Sequence, residues 1–105
     1  MQPVSRLEII VSSQEIEKIT KVLETVNVTG YSIIRDVIGK GDWGIVSDDV
    51  NLGSSTLNNV FIICYCHREK VQSIVEKIKP ILNKYGGVCY LFDAMEIRSV
   101  RCVAS

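Results

Sequence analysis

The sequence has little of what several classes of protein require. Its 12 Lys and Arg residues match its 12 Asp and Glu residues, so no net charge is available to attract the phosphates of nucleic acid. Its apolar runs are far shorter than the roughly 18 residues of a membrane-spanning helix, and no signal-peptide pattern precedes Arg6. We therefore expect a single domain, residues 1–105, that lies in the cytoplasm, binds no nucleic acid and does not insert into a membrane.

Residues for metal or nucleophilic chemistry are also scarce. His67 is the only histidine, which argues against a histidine-based catalytic triad. Cys64 and Cys66 precede it, but on a strand these thiols point to one face and His67 to the other, so three ligands do not converge. Together with Cys89 they lie in strand-like segments, which is typical of packed, reduced thiols. The sequence thus predicts neither an enzyme nor a metal centre.

The chain does contain one structural pattern that occurs twice. Alternating apolar residues predict strands, and apolar residues at helical spacing predict helices after Ser12 and after His67. The order is βαββαβ, with strands at residues 6–11, 31–38, 59–66 and 88–97. We expect Asn27–Gly30 and Gly86-Gly87 to end the two helices, and Pro80 to kink or restart the second one.

This order predicts a ferredoxin-like α+β sandwich, a four-stranded antiparallel sheet with two helices on one face, followed by an extra C-terminal segment. In Val60–Cys66 both alternating sets of side chains are apolar, and Val88–Phe92 is nearly so. Two helices cover only one face of a sheet, so the other face must be buried elsewhere. We therefore expect an oligomer, most economically a closed ring.

A long polar segment between the second and third strands is the main candidate for a functional element. Loops beyond about 12 to 15 residues without structure of their own are usually functional or disordered. Asp42, Asp48 and Asp49 are most simply interpreted as solvated loop carboxylates. Trp43 favours a contact with a partner or ligand, with packing at the base of the loop as the alternative.

Glycines and cations on either side of this segment offer a phosphate site. Gly39-Lys40-Gly41 lets backbone N–H groups approach an anion while the lysine supplies charge, although such a run also occurs in ordinary turns. Gly86-Gly87 occupies the equivalent turn of the second half, and Arg98 and Arg101 follow the last strand. Three charge-assisted hydrogen bonds of about 1.5 to 3 kcal/mol each would support micromolar binding.

The chain resembles the PII-like signalling proteins in three runs and in the long loop, over nearly its whole length. The runs are Val28-Thr29-Gly30-Tyr31-Ser32-Ile33, Val37-Ile38-Gly39-Lys40-Gly41 and Tyr85-Gly86-Gly87-Val88. The resemblance implies a homotrimer that binds an adenine nucleotide, AMP, ADP, cAMP or ATP, in clefts between subunits. It also implies a mobile T-loop, about residues 42–56, that regulates a partner such as a membrane transporter.

The resemblance assigns two sets of residues in this sequence. The nucleotide-binding set consists of Thr29 and Gly30 beside the adenine, Gly39, Lys40 and Gly41 at the T-loop base, Gly86 and Gly87 in a shortened B-loop, and Arg98 and Arg101 near phosphate. The partner-binding loop contributes Asp42, Trp43, Asp48 and Asp49.

Several departures from standard PII proteins narrow the ligands and the subgroup that the resemblance implies. Trp43 stands where a glutamine helps to hold magnesium and 2-oxoglutarate, and no tyrosine for uridylylation lies in residues 42–56. The short B-loop favours AMP, ADP or cyclic AMP over tight binding of ATP with magnesium. The chain is most similar to the SbtB type associated with bicarbonate transport, although its C-terminus lacks the two-cysteine hairpin of that type.

Two other interpretations remain open at this stage. The CutA type shares the trimeric architecture and binds divalent metal, which here would depend on the cysteines and His67. The ACT domain shares the βαββαβ order and binds amino acids at interfaces, but its loops are usually short.

Overall fold

The structure is a computed structural model that describes residues 1–37 and 58–98. In chain order the elements are β1 (Gln2–Ser12), α1 (Ile16–Val26), β2 (Gly30–Val37), β3 (Asn59–Cys66), α2 (Val71–Tyr85) and β4 (Val88–Glu96), with single 3-10 turns at Ser13–Glu15 and Arg68–Lys70. The strands form one antiparallel sheet in the order β2-β3-β1-β4. The predicted ferredoxin-like α+β fold is therefore confirmed.

One face of the sheet carries the hydrophobic core. Leu7, Ile9 and Val11 alternate along β1 and are fully buried, as the period-2 pattern predicted. Both helices cover this face with further buried side chains, which are Ile19 and Leu23 of α1 and Ile74 and Ile78 of α2. Each such side chain contributes about 1.5 to 3 kcal/mol by leaving water, so this layer holds the helices on the sheet.

The helix ends agree with the sequence prediction at Asn27 and Gly86 and differ from it at Gly30 and Pro80. α1 is closed by Asn27, which adopts a left-handed conformation with φ 64° and donates its N–H to the Glu24 carbonyl at 3.0 Å. Gly30 is instead the first residue of β2. α2 continues through Pro80, so the predicted restart is wrong. Both Pro80 and Glu76, whose carbonyl loses its helical donor, are exposed, and water can satisfy that carbonyl.

The second face of the sheet is named the open face, because neither of the two described helices packs on it. Its side chains come from alternate strand positions and are Arg6, Glu8, Ile10, Ser32, Ile34, Phe61, Ile63, Tyr65, Tyr90 and Phe92. Four of them are between 42% and 48% exposed, namely Ile34, Tyr65, Tyr90 and Phe92. An apolar sheet face of this size calls for a covering surface.

Within the described residues, neither helix is long and apolar enough to cross a membrane.

Candidate functional site

A cavity of about 560 Å³ lies at the end of the sheet where β1 and β2 begin and β3 and β4 end, which we name the pocket end. Its volume falls in the range of about 300 to 1,000 Å³ that small-molecule sites occupy. The residues that matter for its chemistry are Thr29, Gly30, Tyr65, His67, Glu96 and Arg98. Aromatic, hydroxyl, carboxylate and cationic groups therefore converge on one space.

Lys70, the residue directly before α2, helps to fix the turn that contains Thr29. Lys70 Nζ donates to the Asn27 carbonyl oxygen at 2.5 Å, at the C-terminal end of α1. The C-terminal end of a helix carries partial negative charge, so a cation at that end is favourable. The Val28 N–H donates to the Leu23 carbonyl at 3.2 Å. These two bonds hold the peptide just before Thr29 and Gly30.

Gly30 and Tyr65 are direct partners across β2 and β3, and Tyr65 is paired on its other side with Arg6 of β1. Arg6 Nη1 donates to the Tyr65 hydroxyl at 2.7 Å, and the Arg6 guanidinium lies 5.5 Å from the centre of the Tyr65 ring. Arg6 Nη2 also pairs with Glu8 Oε2 at 2.7 Å. The tyrosine is thus held at both its ring and its hydroxyl by one cation.

Opposite charges meet in the lining of the cavity, at Glu96 and Arg98. Arg98 Nη2 pairs with Glu96 Oε2 at 2.7 Å, and the Arg98 side chain is 63% exposed. An exposed ion pair of this kind contributes about 0 to 1 kcal/mol to stability. An incoming anion can therefore replace Glu96 as the partner of some of the guanidinium N–H groups. Arg98 thus offers the cavity a cation with a planar, forked set of donors suited to phosphate.

Gly86 and Gly87 lie at the opposite end of the sheet, which we name the glycine end. The Gly86 N–H donates to the Leu82 carbonyl at 2.9 Å and closes α2. Gly87 has φ +125°, and a Cβ there would lie 2.7 Å from the Ile10 carbonyl oxygen and 2.8 Å from Val11 Cγ1. The fold itself therefore requires glycine at position 87.

The structure brings together only some of the residues predicted to form the site. Thr29, Gly30 and Arg98 line one cavity, whereas Gly86 and Gly87 lie beyond the far end of β4, roughly 26 Å away by the length of that nine-residue strand. The other predicted residues lie outside the described residues: Gly39, Lys40, Gly41, Asp42, Trp43, Asp48, Asp49 and Arg101.

Sequence reasoning missed Tyr65, His67 and Glu96 as cavity residues. The pattern of a single strand does not show that Tyr65 lies opposite Gly30 on β2. The β2 and β3 register is the signal that would have found it, because glycine opposite an aromatic residue marks a gap in a sheet surface.

The three cysteines of the described residues, Cys64, Cys66 and Cys89, have packed, protonated thiols. Burial raises the pKa of the Cys64 thiol to about 12 and that of the Cys89 thiol to about 11, and it also raises the pKa of Cys66. Thiolates are the metal-binding and nucleophilic form, so these groups are poorly suited to either role. Within residues 1–37 and 58–98, no group of three or more His, Cys, Asp or Glu side chains could hold a metal ion.

Comparisons with known proteins agree on one relationship. The family profile described as Nitrogen regulatory protein P-II matches residues 4–101. CPII from Thiomonas intermedia K12 bound to ADP, AMP and acetate is 27% identical, with a TM-score of 0.79 over 92% of this chain and 91% of that chain. The same protein bound to ADP and bicarbonate is also 27% identical, with a TM-score of 0.76 over 91% and 90%.

A more distant structure shares the fold. The GlnK–ATP complex of B. subtilis is 16% identical, with a TM-score of 0.62 over 90% of this chain and 84% of that chain. Comparison with curated proteins gives no significant match.

Proposed function

Because the chain belongs to the family of the nitrogen regulatory protein P-II, we propose that it is a non-enzymatic signalling protein. In this proposal it acts in the cytoplasm as a homotrimer that binds an adenine nucleotide in clefts between subunits. Occupancy of the cleft changes the T-loop, about residues 42–56, which regulates a partner protein. The chain as a whole, residues 1–105, is one PII-like unit.

The observation that carries the proposal is the cavity at the pocket end. Thr29, Gly30 and Arg98, which the resemblance assigns to the nucleotide, all line it. An apolar and aromatic wall beside an arginine suits a flat base joined to phosphate. The CPII structures that are similar over about nine-tenths of the chain hold ADP, which supports an adenine nucleotide as the ligand.

The separation of the two ends of the sheet supports a cleft made by two subunits. A nucleotide is too short to touch Arg98 and Gly87 of the same chain when a strand of nine residues lies between them. If both ends contribute to one site, the glycine end must come from a second copy. A closed ring of identical subunits supplies such a contact at every interface.

The open face supports the same assembly. Ile34, Tyr90 and Phe92 leave much apolar surface in water, and β4 additionally exposes Leu91 on its other side. Burying apolar surface contributes roughly 25 cal/mol per Å², which favours association of copies through this face and the β4 edge.

The T-loop is the proposed readout element. Phosphate bound at the cleft would hold Lys40 and so bias the Gly39–Gly41 base of the loop toward one conformation. A ligand can shift such an equilibrium only by its difference in affinity for the two conformations. Asp42, Trp43, Asp48 and Asp49 would then meet the partner, for which a transporter of bicarbonate or another solute is the candidate class.

Isothermal titration of the purified protein with AMP, ADP, ATP and cyclic AMP tests the proposal. We expect binding in the micromolar range for at least one of them, and bicarbonate belongs in the series because a similar structure holds it with ADP. Absence of binding by all four nucleotides up to millimolar concentration would overturn the proposed function.

The role of the loop has its own test. A pull-down from cell extract should recover a partner with the intact chain in a nucleotide-dependent manner, and deletion of residues 42–56 should abolish that recovery without changing nucleotide affinity by more than a few-fold. Equal recovery by the deletion variant would contradict a T-loop readout.

A further inference from the structure

Among residues 1–37 and 58–98, no steric contact requires glycine at position 30. A Cβ built at this position meets no heavy atom of the described residues within 4 Å, and Gly30 is not among the residues with positive φ. Gly87 shows the opposite case, since a Cβ there would clash with backbone. The space above Gly30 is therefore room that the chain leaves open inside the cavity.

Tyr65 stands directly across from this open space. In antiparallel sheets an aromatic ring often covers a glycine on the neighbouring strand. Here the ring does not, because no atom of Tyr65 comes within 4 Å of the place where the Gly30 Cβ would be.

The reason lies on the other side of Tyr65. The Arg6 guanidinium makes a cation–π contact with the Tyr65 ring, 5.5 Å from the ring centre, and its Nη1 donates to the Tyr65 hydroxyl at 2.7 Å. Glu8 holds the same guanidinium through Nη2 at 2.7 Å. These contacts hold the ring toward β1 rather than over Gly30, and Tyr65 is among the residues that line the cavity.

We propose that Tyr65 is a specificity-determining residue whose ring stacks on the base of the bound nucleotide, with the base lying in the gap that Gly30 leaves beside it. Arg6 is its positioning residue. This inference rests on the proposed function and adds to it the residue that recognises the base. An aromatic platform selects for a flat ring system rather than for phosphate, while Arg98, which also lines the cavity, serves the phosphate.

The first test separates the base from the phosphate. In Tyr65→Leu we expect ADP affinity to fall by about 5- to 150-fold, the range that loss of one base–aromatic stack produces. Inorganic pyrophosphate, measured by competition with ADP, should keep its affinity. The decrease in adenine absorbance that accompanies stacking should appear in the wild-type protein and vanish in the variant.

Tyr90→Leu is the matched control. Tyr90 is 42% exposed and Tyr65 is 43% exposed, both lie on the open face, but Tyr90 does not line the cavity. Leucine keeps an apolar side chain at either position, so light scattering of both variants should give the wild-type mass. A change of mass in Tyr65→Leu but not in Tyr90→Leu would assign Tyr65 to subunit contact and overturn the proposal.

Gly30→Ala tests the gap without touching the ring. The added methyl meets no atom of the described residues within 4 Å, so the variant should fold normally. It should nevertheless weaken ADP binding by about tenfold, because it occupies the space proposed for the base. Gly30→Val should weaken it further. Unchanged ADP affinity in both variants would show that the base lies elsewhere.

The positioning role of Arg6 is tested by comparing the binding of ADP with that of pyrophosphate. Arg6→Met should weaken ADP but not pyrophosphate, and Arg6→Lys, which keeps a cation and a donor, should restore most of the loss. Wild-type protein that binds ADP while Tyr65→Leu binds it equally well would overturn this inference alone. Wild-type protein that binds no adenine nucleotide would overturn the proposed function and this inference with it.

Discussion

Glycine has opposite meanings at the two ends of the sheet. At the glycine end Gly87 is required by the fold, because its φ of +125° and its approach to β1 leave no room for a Cβ. At the pocket end Gly30 is not required by anything within the described chain, and it opens onto a cavity with Tyr65 and Arg98. The first glycine serves packing, whereas the second leaves room beside the cavity that none of the described residues fills.

The largest expected effect comes from exchanging these glycines for alanine. Gly87→Ala should lower the free energy of unfolding by about 2 to 4 kcal/mol through backbone strain and overpacking. Gly30→Ala should cost no stability and can gain up to about 1 kcal/mol by restricting the unfolded chain. Urea unfolding at matched protein concentration measures both. Equal destabilisation by the two substitutions would remove the distinction between the ends.

A second pair of substitutions compares two exposed arginines near the pocket end. Arg98→Ala should weaken ADP binding by roughly 10- to 100-fold, in keeping with loss of a charge-assisted hydrogen bond of about 1.5 to 3 kcal/mol. Arg68, whose side chain is 54% exposed and pairs with Asp93 at 3.7 Å, does not line the cavity, so Arg68→Ala is the control. Titration calorimetry should show no change for the control. Similar losses in both would indicate a general effect of surface charge.

The core between the two ends should respond to pH through its thiols. Burial raises the pKa of Cys64 to about 12 and of Cys89 to about 11, from an ordinary value of 9.0. A pKa that is higher in the folded state gives stability that is complete below about pH 9 and is lost as pH rises through 11 to 12. At pH 10 the loss should be about 1 kcal/mol for each thiol. The Cys64→Val and Cys89→Val double variant should lose correspondingly less stability between pH 8 and 10, and an unchanged slope would contradict the assignment.

The smallest expected effect concerns the charge beside Arg98. Glu96→Gln removes the carboxylate that pairs with Arg98 at 2.7 Å. Since an exposed pair is worth about 0 to 1 kcal/mol, ADP affinity should rise by up to about fivefold at low salt, and the gain should shrink as salt increases. Weaker binding in this variant would mean that Glu96 helps to hold the ligand.

The fold could be predicted because its signals are local. The alternation of Leu7, Ile9 and Val11 and the apolar run Asn59–Cys66 identify strands without knowledge of their neighbours, and β3 has the predicted limits. Helix ends were less predictable. A left-handed Asn27 and an exposed Pro80 within α2 depend on hydrogen bonds that composition alone does not reveal.

The site was predictable only in part, for a different reason. Thr29 and Gly30 belong to a recognisable motif, and Arg98 is a charge directly after a predicted strand. Tyr65 instead gains its role from Arg6 and Gly30, its partners on the two neighbouring strands. Pairing Tyr65 with Gly30 and Arg6 requires the sheet register, which a single sequence does not fix when both faces of a strand are apolar.

The central claim is that the two ends of the sheet form one site only when two copies meet. Arg98 follows β4 at the pocket end, whereas Lys40 follows β2 in sequence, and β2 ends with Val37 at the glycine end. In the proposed cleft Lys40 therefore comes from the subunit that supplies the glycine end, and either Arg98→Ala or Lys40→Ala alone should weaken ADP binding. Co-expression with two different affinity tags and purification over both yields trimers that contain both variants. If the site is shared, one cleft of such a mixed trimer combines an intact Lys40 from one subunit with an intact Arg98 from its neighbour, and titration should recover about one wild-type ADP site per trimer. Recovery of no wild-type site would show that both residues act within a single chain and would contradict the account.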